Sequence, residues 1–496
     1  MSGTLILVTI LAYFGLLLLI AEFTARRVDN DAFFRGNRES PWYVVSFGMI
    51  GASLSGVTFV SVPGMVMSFD MTYMQTCIGF FFGYLVIAHV LLPLYYRLNL
   101  TSIYTYLGQR LGNCSYKTGA SFFLLSKLLG AAVRLYLVCM ILQRFVFDGM
   151  GVPFVVTVVG AVLLIWLYTR RSGIRTIVWT DSLQTLCMLV SMGLILWKVV
   201  DALDMRWTEL WSAVRDSGYS RVFVWDDWVS RQNFFKQFFS GIFITIVMSG
   251  LDQDMMQKNL SCRNLRDARK NIYCYGFSFI PVNLLLLTLG VMLVMAAGQM
   301  QLPAVQKGDE LLPVFAAGGY LGYPVVVFFT VGIIAAAFSS ADSALAALTT
   351  SCCIDLLEVG KMNPDKAVRV RKWVHLLISV LFIGCIVLLE EFNSPSIIDT
   401  LYVLTSYTYG PLLGLFSFSL LTRYRVRDGW VPWIAVASPV LCYALNQLVT
   451  AYTDYRFGYE MLMLNGLLVF VGLRLLAVGK VGREGNGSAA LRSVND

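Results

Sequence analysis

Of the 496 residues in the chain, 57% are hydrophobic and only 14% charged, about half the charged share of a soluble domain, which makes this a polytopic membrane protein. The formal charge of +8 does not point to nucleic acid, because the basic residues fall in short clusters between apolar runs, as in membrane loops. Ten cysteines and two histidines show no paired metal spacing and no disulfide framework, which argues against a metal enzyme or a disulfide scaffold.

The chain opens on "MSGTLILVTILAYFGLLLLIAEFTARR", with no basic n-region and no small-residue cleavage site. This predicts a first membrane span rather than a cleaved signal peptide. Runs of about 20 apolar residues can cross a bilayer as helices. Thirteen are predicted, at 3–24, 42–69, 72–97, 118–146, 152–169, 174–200, 238–258, 273–297, 320–354, 372–391, 395–421, 430–451 and 458–478. The loops after spans 1, 5, 7, 9, 11 and 13 are basic ("YTRRSGIR", "GKMNPDKAVRVRK"), while the even-numbered loops are mixed or acidic ("GDE", "LEEFN"). The positive-inside rule then places the N-terminus outside and the C-terminus in the cytoplasm of a plasma (inner) membrane protein. The stretch 201–237 is expected outside with a short surface helix, and the tail 479–496 is expected to be disordered.

Span 2, "YVVSFGMIGASLSGVTFVSVPGMVM", carries five Gly or Pro residues inside its apolar run, and span 7 contains the pair Ser249–Gly250. Interrupted helices at matching positions mark the two halves of many transporters. The offset of five spans is odd, so such a repeat is inverted in the membrane. The organisation reads as 1–41, an extra span and cytoplasmic loop; 42–200 and 238–421, the two halves, joined by the outer loop 201–237; and 422–478, two further spans. Glycine is also common wherever membrane helices pack, and the pattern alone leaves both readings open.

Charges inside spans are functional candidates, because each is costly there. They are Lys127 and Arg134 in span 4, Asp181 in span 6, Asp252 and Asp254 in span 7, and Asp342 in span 9. Asp181 lies ~10 Å from the cytoplasmic end of its helix and Ser343 ~18 Å from that of span 9, so the two could meet in the inner half of the membrane. Ser339 and Ser343 share a helix face, with Ala336 one turn earlier. Opposite them, a broken span 2 would free carbonyls near Gly56 and Phe59. Carbonyls and hydroxyls make a low-charge oxygen cage suited to a monovalent cation such as sodium; an Ala/Ser face also serves plain helix packing. Asp342 either coordinates an ion, pairs with a lysine or arginine of another span, or faces a solvated inner vestibule. Arg134 either neutralises a buried aspartate or receives an anionic solute.

In "GASLSGVTFVSVPG", "GIRTIVWTDSLQ", "SGLDQDMMQKNLSCRNLRDARK" and "AAAFSSADSALAALTT", taken in order and at this spacing, the chain resembles the sodium:solute symporters over nearly its whole length. The resemblance implies a leucine-transporter-like five-plus-five inverted repeat within an all-α fold. It also implies a sodium site formed by the carbonyls of Gly56, Phe59 and Ala336 and the hydroxyls of Ser339 and Ser340. It further places Asp181 on the inner sodium route or, with Ser339 and Ser343, at a second sodium site, one position of which carries Asp342 here in place of serine. Sugar-carrying members have polar residues where this chain has Thr58, Val62 and Pro63, which argues against a hexose. The span 2 motif looks more like the branch that carries iodide, monocarboxylates and vitamins. Sialic-acid carriers place an arginine in the span that corresponds to that of Arg134. Thr58, Ser61, Gln75 and Arg134 are therefore expected to line the solute pocket. The implied activity is sodium-driven import of a small organic solute, such as a monocarboxylate or sialic acid, by alternating access. A sugar, amino acid or vitamin as solute, and proton coupling through Asp181 or Asp342, are the alternatives. No sensor module, filter loop or catalytic constellation is found, so the partners expected are solute, sodium and the lipid bilayer.

Overall fold

The computed structural model describes residues 8–9, 11–16, 19, 40–53, 55–98, 102–169, 174–300, 305, 307–391 and 396–480. The side chains of Asp181 and Ser339, most of span 1 and the C-terminal tail fall outside the described residues. Apart from one short antiparallel pairing of Tyr424–Val426 with Ala477–Lys480, the described elements are helices and connecting turns.

Among the described residues, each predicted span after the first contains a helix or a pair of helices. Seven are long and apolar enough to cross a membrane by themselves: Tyr73–Arg97, Asn113–Met150, Thr185–Ala202, Leu265–Gln299, Tyr323–Leu356, Pro364–Leu389 and Asp428–Tyr452. Two more are bent pairs. Trp42–Gly51 and Gly56–Phe69 form span 2, bent by 54°; Phe234–Gly250 and Gln253–Leu260 form span 7, bent by 68°. Spans 5, 11 and 13 contain shorter apolar helices, Phe154–Leu167, Gly410–Leu421 and Met461–Leu475. Between spans 6 and 7 the surface helix is Trp207–Asp216, whose Glu209 carboxylate accepts from the Arg206 amide at 3.1 Å. A further helix, Gly308–Ala317, lies between spans 8 and 9.

Burial separates centre from rim. In span 9, 76% of the apolar stretch is buried inside the protein, against 28% in span 10 and 17% in span 12. Span 9 is thus a central helix, while spans 10 and 12 lie at the rim. The small residues of span 9 allow this. Gly332 lies against Ser191 of span 6, and Gly51 of span 2 leaves no room for a Cβ beside Thr185 of the same span 6. Span 6 therefore packs on both span 2 and span 9.

Candidate functional site

The two breaks face one cavity of about 90 Å³. In span 2 the helix stops at Ser53 and restarts at Gly56, and the Thr58 hydroxyl donates to the freed Ser53 carbonyl at 3.3 Å. In span 7 a wide turn over Ile246–Gly250 ends the first helix, and Asp252 starts the second by accepting from the amides of Asp254 (3.0 Å) and Met255 (3.2 Å). Backbone left unpaired within a bilayer must find partners inside the protein. Tyr95 donates to the Gly250 carbonyl at 3.0 Å and Tyr104 to that of Leu251 at 2.8 Å.

Tyrosines also connect the breaks. The Ser53 hydroxyl bonds that of Tyr275, and Tyr84 donates to Tyr275 at 2.8 Å. Both rings line the cavity, as do Tyr402 and Tyr409. None of these four stands out in the sequence, where a tyrosine within an apolar run looks like any other large apolar side chain.

Lys127 of span 4 contacts both oxygens of Asp252 at 3.1 Å and Asp254 at 2.9 Å. Lys258 lies 3.8 Å from Asp254 and donates to Ser343 of span 9 at 3.2 Å, and Tyr409 donates to Asp252 at 3.2 Å. The side chains of Lys127, Asp252 and Lys258 are 7%, 3% and 4% exposed. At that depth charges persist only when paired, and these two lysines and two aspartates balance. Arg134 lines the same cavity two turns further along span 4. Among the described residues, it makes no hydrogen bond or ion pair.

Spans 2 and 9 pack together near Gly56 and Phe59. A Cβ on Gly56 would stand 3.5 Å from the Ile333 carbonyl oxygen, and the Phe59 ring lies 6.0 Å from that of Phe329. Ala336 is buried one turn beyond Ile333, and Ser340 follows a turn later at the cavity. Among the described residues, the Ser340 hydroxyl is buried with no hydrogen-bond partner, a costly state in a native interior. A sodium ion would satisfy it. Ser343 lines the cavity too, whereas Asp342, 1% exposed, does not and accepts from the Ser343 amide. The backbone of Asp181 lies one turn before Thr185, in the helix that packs on both of these spans.

Of the four expected solute residues, Thr58 and Arg134 line the cavity. Gln75 and Ser61 do not. Gln75 is fully buried, donating to the Gln232 carbonyl at 2.8 Å and accepting from the Val224 amide at 3.1 Å, so it holds the outer loop. Ser61 is buried beside the Asp309 carboxyl of the Gly308–Ala317 helix. Neither faces the breaks: Gln75 turns to the 201–237 loop and Ser61 to the Gly308–Ala317 helix. The histidines bond Tyr273 and Thr349, at 2.9 and 3.0 Å.

Two broken helices around a buried, charge-lined cavity define a secondary transporter with an inverted-repeat core. The family model of the sodium:solute symporters matches residues 33–429, and the chain belongs to that family. It is 24% identical to the sodium/sialic acid symporter NanT of Aliivibrio fischeri over 95% of this chain and 92% of that one. It is also 24% identical to sodium-coupled monocarboxylate transporter 2 of Danio rerio, over 84% and 68%. A solved structure of a Na+-coupled sialic acid symporter in its substrate-bound outward-open state superposes with a TM-score of 0.79 at 20% identity, covering 95% and 97% of the two chains. Mhp1, a nucleobase-cation-symport-1 family transporter, gives 0.56 at 14% identity, over 90% and 94%. The protein is a sodium-coupled symporter of leucine-transporter-like fold.

Proposed function

We propose that the protein imports a small organic anion with sodium, and that Arg134 receives the anion's carboxylate. The carrying observation is the charge balance of the cavity. Lys127 and Lys258 are matched by Asp252 and Asp254, which leaves the Arg134 guanidinium as the uncompensated charge among the described lining residues. A guanidinium presents a planar fork suited to a carboxylate. Thr58 and the cavity tyrosines supply hydroxyls for the rest of the solute. The sialic acid and monocarboxylate substrates of the relatives are organic anions of this kind.

Sodium is held by Gly56, Phe59 and Ala336 through carbonyls and by Ser339 and Ser340 through hydroxyls, with Asp181 and Ser343 on its exit route or at a second site. Bound there, the ion ties span 2 to span 9 and favours the conformation that accepts solute; linkage makes the two affinities mutually dependent. The repeats are 42–200 and 238–421, and the basic loops put the C-terminus in the cytoplasm of the plasma membrane. The test is uptake into proteoliposomes of a monocarboxylate panel, sialic acid, neutral sugars and amino acids, in sodium or choline. Sodium-dependent uptake of anions that Arg134→Gln abolishes is the expected result. Unchanged anion uptake in that variant, or uptake of neutral solutes alone, overturns the assignment.

A further inference from the structure

Away from the transport cavity, the first turns of span 10 form an open groove of about 630 Å³. Its lining includes Lys366, Arg369 and Trp373, with Asp365 the single carboxylate. Lys366 and Arg369 are exposed, and neither makes a hydrogen bond or ion pair among the described residues. The segment "KMNPDKAVRVRKW" holds five cations against that one carboxylate, so the groove attracts anions despite Asp365.

The next turns of the helix narrow the occupant. Trp373, one turn beyond Arg369, is 67% exposed, and the same face continues as Leu377, Val380 and Leu381, 59%, 57% and 49% exposed. From Trp373 to Leu381 the helix rises ~12 Å, close to the roughly 15 Å of one leaflet's hydrocarbon. Along one face, then, the protein presents paired cations, an aromatic ring of the type found at headgroup level, and an aliphatic stripe. A phospholipid has a matching order: phosphate, glycerol backbone, acyl chain. A free phosphate would use the two cations and leave the ring and stripe without a role.

We propose that this groove is a binding site for one anionic phospholipid, its phosphodiester on Lys366 and Arg369 and its chains along the Trp373–Leu381 face. Span 10 packs directly on span 4, which carries Lys127 and Arg134, and on span 9. A bound lipid therefore braces the scaffold side of the transport cavity. The inference does not depend on which solute is carried.

Native mass spectrometry of the full-length protein, equilibrated in detergent with phosphatidylglycerol or chain-matched phosphatidylcholine, tests it. Wild type should retain phosphatidylglycerol preferentially. The preference should fall by about fivefold for each cation removed in Lys366→Gln and Arg369→Gln. Arg215→Gln, on the outer surface helix, should leave retention unchanged. A thermal-stability gain on adding phosphatidylglycerol should be seen in wild type and lost in the double variant, which itself remains folded because both side chains are exposed. Equal retention of phosphatidylglycerol by the double variant overturns the site. So does displacement of the lipid by inorganic phosphate, which would make this a general anion patch.

Discussion

Lys127 and Asp254 meet at 2.9 Å across spans 4 and 7, 127 residues apart in sequence and both nearly out of contact with solvent. The same ammonium also grips both oxygens of Asp252, so one lysine holds the start of the inner half of broken span 7. Transport by alternating access requires movement around such breaks, which makes this junction both a structural brace and a point that must give.

Removing the lysine leaves two buried carboxylates with Lys258, beside Asp254, as the one cation still in ion-pair contact. Breaking a buried pair on one side costs about 3–5 kcal/mol, so Lys127→Met should lower the midpoint of thermal unfolding strongly and cut uptake. The two carboxylates are unequal. Asp252 also starts the second helix of span 7 and accepts from Tyr409, whereas Asp254 shares its charge with Lys258. Asp252→Ala, which removes the capping acceptor as well as the charge, is therefore expected to destabilise more than Asp254→Ala in thermal-shift measurements; the reverse order would mean that helix capping at the break is not what the residue supplies.

Hydropathy makes the apolar crossings legible, because the bilayer imposes one length and one backbone solution on every crossing. The breaks are visible as glycine and proline, and Lys127, Asp252 and Asp254 stand out as anomalies in apolar runs, whereas Lys258, at the last position of span 7, does not. What periodicity cannot carry is pairing. Nothing local to Lys127 says that its partners are Asp252 and Asp254 rather than Asp181 or Asp342, and that pairing is what leaves Arg134 without an ion pair among the described residues. Gln75 shows the converse. It reads as a pocket residue because it is polar and sits in a span, yet both ends of its amide serve backbone of the outer loop, a partner supplied by tertiary folding alone.

The unpartnered Ser340 hydroxyl separates a cation ligand from a packing residue. Deleting a buried hydroxyl with no partner costs little stability and can raise it. Without sodium, Ser340→Ala should therefore melt at or slightly above the wild-type temperature. Adding sodium should stabilise wild type by linkage, with a much smaller gain in the variant. The sodium concentration for half-maximal uptake should rise by about tenfold, the worth of one charge-assisted contact. An undiminished sodium-induced shift in the variant would remove Ser340 from the site.

Gly64 of span 2 and Gly308 at the start of the outer helix are in backbone contact, and a Cβ on either would overlap the other's carbonyl group. Two backbones are the contacting parts, so no flexible side chain can yield. Gly64→Ala should hold the outer helix away from span 2 and destabilise the closed outer side. The measurable result is greater reactivity of a cysteine placed at Thr58 toward a thiol reagent applied from outside, in a background without exposed cysteines, together with reduced uptake. Unaltered labelling would show that this contact is not part of outer closure.

The same outer helix carries a pH response. Asp309 is 4% exposed and accepts from the Ile397 amide at 2.7 Å, at the first residue of span 11's helix. Burial raises its pKa above the usual carboxylate value; Ser61, the Ile397 amide and the charge of Lys307 pull it back, and Glu310 pushes it up. With the folded value above the unfolded one, the folded carboxyl keeps a proton that an unfolded chain would release between about pH 4 and the raised value. Stability therefore rises as pH falls through that window, and the contribution is lost as pH climbs above it. Asp309→Asn keeps an oxygen that can accept from Ile397 and cannot ionise. Its thermal midpoint should equal or exceed that of wild type above the window, and the slope with pH should flatten within it. If the variant keeps the wild-type slope, the titrating group lies elsewhere and Asp309 is an ordinary helix cap.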